Sequence, residues 1–325
     1  MLSVLVGIAM TAKVLHYPAG PGPGNHKHVV LLAGDEEYRS EEMLPQLAKI
    51  ISKRFGFETT VVFSQNDRGE IDPENQANQP GLESLDKADL CIMMLRFRHW
   101  PDSDMKHFVD YYLAGKPIIA IRTSTHAFQY PPDSNSPYKD YSWNSTVWRG
   151  GFGKQVLGET WVSHWGIHGS QATRAHIIGP HPLLNGVEDV FGTTDVYEAA
   201  PPADANILVR GEVVSGMNVS DEPASGLKRT ASGSEQLLNR PMMPIVWLRE
   251  PINSAKQTNK ILTTTMGAST DFLNSGYRRL IINGVFWGIG LEVPKAANVD
   301  LIGEYAPSKF GFGGYRRGVK LTDLL

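Results

Sequence analysis

The chain has 325 residues, of which 31 are lysine or arginine and 34 are aspartate or glutamate, so its formal net charge is −3. This length suits one large domain or two modest ones, and the near-neutral balance lacks the basic surface typical of nucleic-acid binding. The sequence has no run of about 18 apolar residues, so no membrane span is expected.

The N-terminus begins with "MLSVLVGIAMTA" (1–12), a short apolar run that ends in small residues. It resembles the apolar core of a secretory signal but lacks the positively charged start. Two interpretations stay open, a truncated signal and a frayed tail. We therefore expect residues 1–26 to lie outside the fold and the protein to be exported or periplasmic, with a cytoplasmic location as the alternative.

The first half of the chain alternates between strand and helix patterns. Continuous apolar runs, as in "HVVLLAG", predict strands buried on both faces. Ser40, followed by two glutamates, predicts a capped helix that runs to about Phe55. Further helices are expected near 81–87 and from Pro101 to Gly115. The predicted strands of this half are 28–34, 57–63, 89–96 and 116–123. The only cysteine, Cys91, lies in the third of these strands and is expected to be a buried hydrophobic residue.

The second half begins with a long loop, 129–172, of the kind that is usually functional in a compact domain. A polar insert further along this half, 215–242, predicts a surface hairpin or loop. A helix is expected at about 270–290, and a glycine- and aromatic-rich tail (293–325) is expected to wrap over the main domain, 27–292. The predicted strands, partly antiparallel, are 173–179, 193–199, 206–214, 243–250 and 259–267.

Polar residues follow the predicted parallel strands. Ligands bind beyond the carboxyl ends of the strands in an open α/β sheet, and alternating arginines there can clamp an anion or sugar hydroxyls. Each residue also has a structural alternative: a helix-capping acid, a surface charge or a packed histidine. The residues at these strand ends are Glu37, Arg39, Arg96, Arg98, Arg122 and His126.

The stretch "WVSHWGIHG" carries two histidines, His164 and His168, in the long loop. Imidazole is the commonest metal ligand and the usual acid or base at neutral pH, but this spacing alone is also compatible with one packed and one surface histidine. Trp143 and Trp165 lie in the same region, where an aromatic face either stacks on a sugar or plugs the core.

Several motifs resemble the ThuA-like (trehalose-utilisation) family. They include "VVLLAGDEEYRSEE", "GETWVSHWGIHG" and "HPLLNGVEDVFGTTDVYE", and the resemblance extends over about 28–290. It implies a fold of the class I glutamine amidotransferase or flavodoxin type: an open, mostly parallel sheet with helices on both faces and long loop insertions. It also implies a role in carbohydrate catabolism, with keto-disaccharides as substrates, and a metal held by histidines at positions that His126, His164 and His168 match.

The sequence departs from the amidotransferases at the turn after 116–121. Where those enzymes carry a cysteine nucleophile, this chain reads Arg122-Thr123-Ser124, so glutamine hydrolysis is not expected. Ser124 near His126 leaves a serine hydrolase open, although the G-x-S-x-G turn is missing. The turn after the first strand also lacks G-x-G-x-x-G, so no nucleotide cofactor is expected.

The leading hypothesis is an enzyme, a hydrolase, lyase or isomerase, that acts on a sugar or keto-sugar. His126, His164 and His168 would be catalytic and would hold Zn or Mn. The substrate-binding residues would be Glu37, Arg39, Arg96, Arg98, Arg122, Trp143 and Trp165. The alternative is a non-catalytic protein that binds carbohydrate or a partner, and a homo-oligomer stays open for either.

Overall fold

The computed structural model describes residues 13–324. The apolar run 1–12, interpreted as a signal remnant or a frayed tail, lies outside the described residues. Within 13–324, no helix combines the length and the apolarity that crossing a bilayer requires.

Within residues 13–324, the structure has three α-helices and twelve strands, besides short 3₁₀ and π turns. The helices are α1 (Ser40–Phe55), α2 (Asp102–Leu113) and α3 (Ser275–Ile289). The strands are β1 (Leu15–Tyr17), β2 (His28–Gly34), β3 (Glu58–Phe63), β4 (Leu90–Leu95), β5 (Ile118–Ile121), β6 (Thr173–Ile177), β7 (Phe191–Gly192), β8 (Asn206–Val213), β9 (Leu227–Arg229), β10 (Glu235–Leu237), β11 (Met243–Arg249) and β12 (Ile261–Thr264).

Ten strands form one mixed sheet in the order β1-β3-β2-β4-β5-β12-β11-β8-β6-β7. The five strands from β3 to β12 in this order run parallel, and the pairings on either side of them are antiparallel. The α/β class and the antiparallel portion agree with the sequence prediction. The antiparallel part is larger than a mostly parallel sheet implies, because β11, β8, β6 and β7 continue the sheet beyond β12.

The helices cover both faces of the parallel strands. Along β2, Leu31 belongs to the core cluster under α1 and α3, and Leu32 to the cluster under α2. Each strand is therefore buried on both sides, which explains its continuous apolar sequence. Gly284 lets α3 lie directly on the sheet, since a Cβ there would come within 2.9 Å of Leu262.

Residues 13–26 correct the expected domain boundary. β1 pairs with β3 along the edge of the sheet, and Gly20 donates a backbone hydrogen bond to Ser52 at 3.2 Å. Leu15 is 1% exposed. The expectation that everything before residue 27 lies outside the fold is therefore wrong for this part, because a three-residue strand followed by prolines and glycines is too short to show a pattern.

Two further local predictions are wrong. Ser40 does not cap α1: its hydroxyl accepts a hydrogen bond from the Asp35 N–H at 3.1 Å, and the helix begins at Ser40 after Arg39, whose φ is 60°. Residues 193–199 do not form a strand, and only Tyr197 makes an isolated bridge, to His164. That segment is instead shaped by side-chain hydrogen bonds near the candidate site.

The polar insert carries the predicted hairpin, formed by β9 and β10. The segment that follows α3 has no helix or strand until a short 3₁₀ turn at Leu321–Leu324. It is held against α1 by Glu42, whose carboxylate accepts hydrogen bonds from the N–H and the hydroxyl of Ser308 at 2.6 and 2.7 Å. Gly311 donates a backbone hydrogen bond to Glu37 at 2.8 Å.

Candidate active site at the carboxyl ends of the parallel strands

A cavity of about 320 Å³ lies beyond the carboxyl ends of β2, β4 and β5. Its volume falls at the lower end of the range for small-molecule sites. The loops after these strands, the long loop before β6 and the segment after α3 all contribute to its wall. The lining residues are Glu37, Arg96, Phe97, His126, Trp161, His164, His168, Tyr197, Gly311 and Phe312.

Arg122 forms the floor beneath these groups and is fully buried. Its guanidinium donates to the Asp195 carboxylate at 2.8 Å and to the carbonyl oxygens of Asp195 and Thr265 at 2.6 and 2.7 Å. The rings of Tyr197 and Tyr38 lie 3.7 and 4.6 Å from it. Arg122 thereby fixes Asp195 from below, and it is not among the residues that line the cavity.

Asp195 holds both histidines of the long loop. Its carboxylate lies 2.8 Å from His164 Nδ1 and 3.0 Å from His168 Nδ1. Burial alone would raise the pKa of Asp195, but Arg122 and the two histidines bring it below its usual range. His168 Nε2 lies 3.1 Å from Glu37, and its pKa is raised chiefly by the hydrogen bond to Asp195.

The loop that carries these histidines is anchored at its backbone. Trp165 and Gly166 donate to the Val196 carbonyl at 2.7 and 3.1 Å. Lys228, in β9, donates to the carbonyl oxygens of His164 and Trp165. The predicted surface hairpin therefore supports the candidate site directly.

His126 ends a short 3₁₀ turn that follows β5. Its ring lies between Phe97 and Trp161, at 5.2 and 5.8 Å between centroids. Burial, followed by the charges of Arg96, Arg122 and His164, lowers its pKa well below the usual value. This lowered pKa favours the neutral imidazole at pH 7, and the Nε2 atom makes no hydrogen bond to any residue in 13–324.

The donor atoms grouped closely enough to hold a metal ion belong to His164, His168 and Asp195, which lie within 4.8 Å of one another. His126 shares their cavity but is not a member of this group. Sequence reasoning assigned His126 as the third donor and gave Asp195 no role, although Asp195 stands in the "TTDVYE" run that carries the family resemblance. A carboxylate is a common metal ligand, so its presence in that motif could have indicated Asp195 as a candidate.

Three of the four predicted ligand-binding arginines do not reach the cavity. Arg98 is fully buried and donates to Ser64 and to backbone carbonyls, while pairing with Glu36 at 2.7 Å. Arg39 donates to the carbonyl oxygens of Glu36 and Gly311. Together with Arg122, they satisfy carbonyl groups where the loops turn, so the structure does not place them in the cavity wall where they were predicted. Arg96 does line the cavity, as predicted.

The two tryptophans assigned to substrate binding are also placed elsewhere. Trp165 is 1% exposed and donates its ring N–H to the Leu238 carbonyl at 2.7 Å. Trp143 lies behind the wall, 6.1 Å from the ring of Trp161. Neither of them lines the cavity as predicted, and Trp161 is the tryptophan that does.

The turn after β5 has no free nucleophile. The Ser124 hydroxyl donates to the Met93 carbonyl at 2.9 Å and accepts from the Leu95 N–H at 3.2 Å, so it joins the turn to β4. At the end of β5, the residue with positive φ is Arg122, at 49°. In a nucleophile elbow, this position would carry the serine. Cys91 is buried within β4, as expected.

These features define an α/β protein whose open mixed sheet presents a histidine-rich cavity at the ends of its parallel strands. A protein described as ThuA-like from Parabacteroides merdae has the same fold, with a TM-score of 0.50 and 14% identity over 91% of this chain and 98% of its own. Another ThuA-like protein, from Bacteroides uniformis, gives a TM-score of 0.48 and 14% identity over 84% of this chain and 95% of its own. No protein-family model and no curated protein matches the sequence. The predicted likeness to ThuA-like proteins is thus confirmed at the level of the fold.

Proposed function

We propose that the protein is an enzyme that moves a proton on a sugar or keto-sugar bound in the 320 Å³ cavity, within an amidotransferase-like fold. The observation that carries the proposal is the meeting of His126, Arg96 and Trp161 in one cavity wall. A neutral imidazole accepts protons, a guanidinium holds oxygen atoms, and an indole face packs against the C–H face of a sugar. The sequence resemblance supports a carbohydrate substrate.

The chemistry follows from these roles. His126 takes the proton from a carbon next to a ketone, and the C–H electron pair becomes a C=C bond while the carbonyl pair moves onto oxygen. Arg96 holds oxygen atoms of the substrate away from the reacting carbon and so orients that carbon towards His126. In an isomerisation, the enolate oxygen takes up the proton of the hydroxyl on the deprotonated carbon, and the proton held by His126 adds to the former carbonyl carbon, so that the ketone moves to the adjacent carbon. Loss of a leaving group from the next carbon, with the proton, completes an elimination.

The donor group beside His126 fits a divalent ion. His164, His168 and Asp195 combine two imidazoles with one carboxylate, a set that suits Zn or Mn. When bound, such an ion would polarise the substrate carbonyl. Arg122 would hold the Asp195 carboxylate in place as one of the three ligands.

The test measures hydrogen exchange in D₂O at the carbon next to the ketone of a 3-keto-glycoside, by NMR. We expect wild type to catalyse exchange and His126→Gln to be slower by about 10²-fold or more, the usual contribution of a general base. The matched control is His176→Gln, because His176 pairs with Glu212 outside the cavity. Equal rates for wild type and His126→Gln contradict the role of His126. Sugar binding by wild type without exchange indicates the non-catalytic alternative.

A further inference from the structure

We propose that the ligand of this cavity is an acidic sugar, whose carboxylate pairs with Arg96. This inference rests on the proposed function and adds the substrate class. It starts from the guanidinium group of Arg96, whose side chain is 20% exposed and lines the cavity. Among residues 13–324, that side chain donates no hydrogen bond, whereas the guanidinium groups of Arg39, Arg98 and Arg122 all donate several.

The nearest carboxylate does not neutralise Arg96. Glu36 lies 2.7 Å from the buried guanidinium of Arg98 and 3.6 Å from that of Arg96, so one negative charge serves two positive charges. Gln76 also donates to the Glu36 carboxylate. Among residues 13–324, the guanidinium that faces the cavity therefore has no carboxylate within hydrogen-bond distance.

The other carboxylates around the cavity are already engaged. Glu37 pairs with His168 at 3.1 Å, and Asp195 pairs with Arg122 at 2.8 Å. Asp35 accepts hydrogen bonds from the N–H groups of Glu37 and Tyr38 and from the Thr123 hydroxyl. Arg96 is the arginine that lines the cavity, and its N–H groups remain available to a ligand.

The plane of that guanidinium is held in place. The ring of Phe97 lies 4.2 Å from it and the ring of Phe312 lies 4.9 Å from it. Phe97 has a φ of 55°, a left-handed conformation that is costly for a bulky residue. Stacking fixes the faces of the guanidinium and leaves its edge for two parallel hydrogen bonds, the geometry that recognises a carboxylate.

The rest of the wall suits a sugar ring. Trp161, His126 and Phe312 add aromatic surface beside Arg96. A ligand that uses both features carries a carboxylate at one end and an apolar ring face at the other. A uronic acid has this combination, whereas a neutral hexose lacks the charge and a simple carboxylate lacks the ring.

The test compares the affinities of D-glucuronate, D-glucose and acetate at fixed ionic strength by titration calorimetry. We expect wild type to bind glucuronate about 10- to 100-fold more tightly than glucose, as one charge-assisted hydrogen-bonded pair implies. Arg96→Gln should lose most of that preference, and Arg96→Lys should keep part of it because the charge remains without the fork geometry. Arg68→Gln is the matched control, since Arg68 is exposed and pairs with Glu70.

Each other outcome overturns the inference. If glucose and glucuronate bind equally, the sugar site stands and the acidic substrate class is wrong. If acetate binds as tightly as glucuronate, the carbohydrate part of the proposed function is wrong as well. A preference for glucuronate that persists in Arg96→Gln, or the binding of none of the three probes, also contradicts it. Circular dichroism and the melting temperature of each variant show that a lost affinity is not a lost fold.

Discussion

Asp195 is the residue on which the candidate site depends most. Its buried carboxylate accepts hydrogen bonds from Arg122, His164 and His168. Asp195→Asn removes the charge that compensates a fully buried guanidinium, and breaking such a pair costs about 3–5 kcal/mol. We expect that loss in the free energy of unfolding, measured with urea at pH 7.

The matched control for Asp195 is Asp204→Asn. Asp204 also pairs with an arginine, Arg249 at 2.8 Å, but its side chain is 57% exposed. Because the Asp204 carboxylate stays in contact with solvent, this pair contributes about 0–1 kcal/mol. A loss for Asp195→Asn no larger than that for Asp204→Asn would show that Asp195 does not hold the site together.

Single residues also show how far the sequence predicts the site. Glu37, Arg96, His126, His164 and His168 were expected from their places at strand ends or in a histidine-rich loop, and all line the cavity. Arg98 and Arg122 were expected there for the same reason and are buried. A pattern locates the end of a strand, but it does not reveal that carbonyl groups from distant loops will take up the donors of an arginine.

At the scale of elements, α1 contains a buried acid. Both carboxylate oxygens of Glu41 are buried without a hydrogen-bond partner in 13–324, and burial raises its pKa to about 8. The unfolded chain, with a glutamate pKa of about 4.3, releases this proton at lower pH than the folded protein does. Protonated Glu41 therefore contributes fully to the free energy of unfolding at pH values below about 4.3. This contribution is lost as the pH rises to about 8.

Glu41→Gln tests this pH dependence. We expect the free energy of unfolding of the variant, relative to wild type, to increase between pH 5 and pH 8, because the amide carries no proton to release. Urea unfolding across that range provides the measurement. Glu83→Gln, in an exposed turn, should follow the wild-type curve. Parallel curves for wild type and Glu41→Gln would show that Glu41 does not titrate abnormally in the folded protein.

The elements that the sequence predicts best are those buried on both faces. β2 was expected at 28–34 and is found there, because a strand inside a parallel sheet needs apolar residues at every position. β1 has three residues and one exposed histidine, and β7 has two residues. Strands this short derive their structure from neighbours that are remote in sequence, so no local pattern marks them.

At the scale of the whole molecule, the segment after α3 completes the cavity. Phe310 is 7% exposed and packs 5.3 Å from the ring of Tyr38 and 5.6 Å from that of His168. Phe310→Ala should free this segment and make it sensitive to limited proteolysis, with up to about 3–5 kcal/mol of packing lost. Phe312→Ala is the matched control, since Phe312 is 63% exposed. Equal proteolysis of both variants would contradict the anchoring role of Phe310.

The cavity wall joins residues from Glu37 to Phe312, nearly the span of the described chain. Contacts between such distant positions form late and slowly, because each requires a large loop to close. During translation, the parallel strands are complete well before Phe312 leaves the ribosome. A nascent or C-terminally shortened chain would thus carry most of its sheet while lacking one side of its binding site, and ligand binding would report that folding has reached its end.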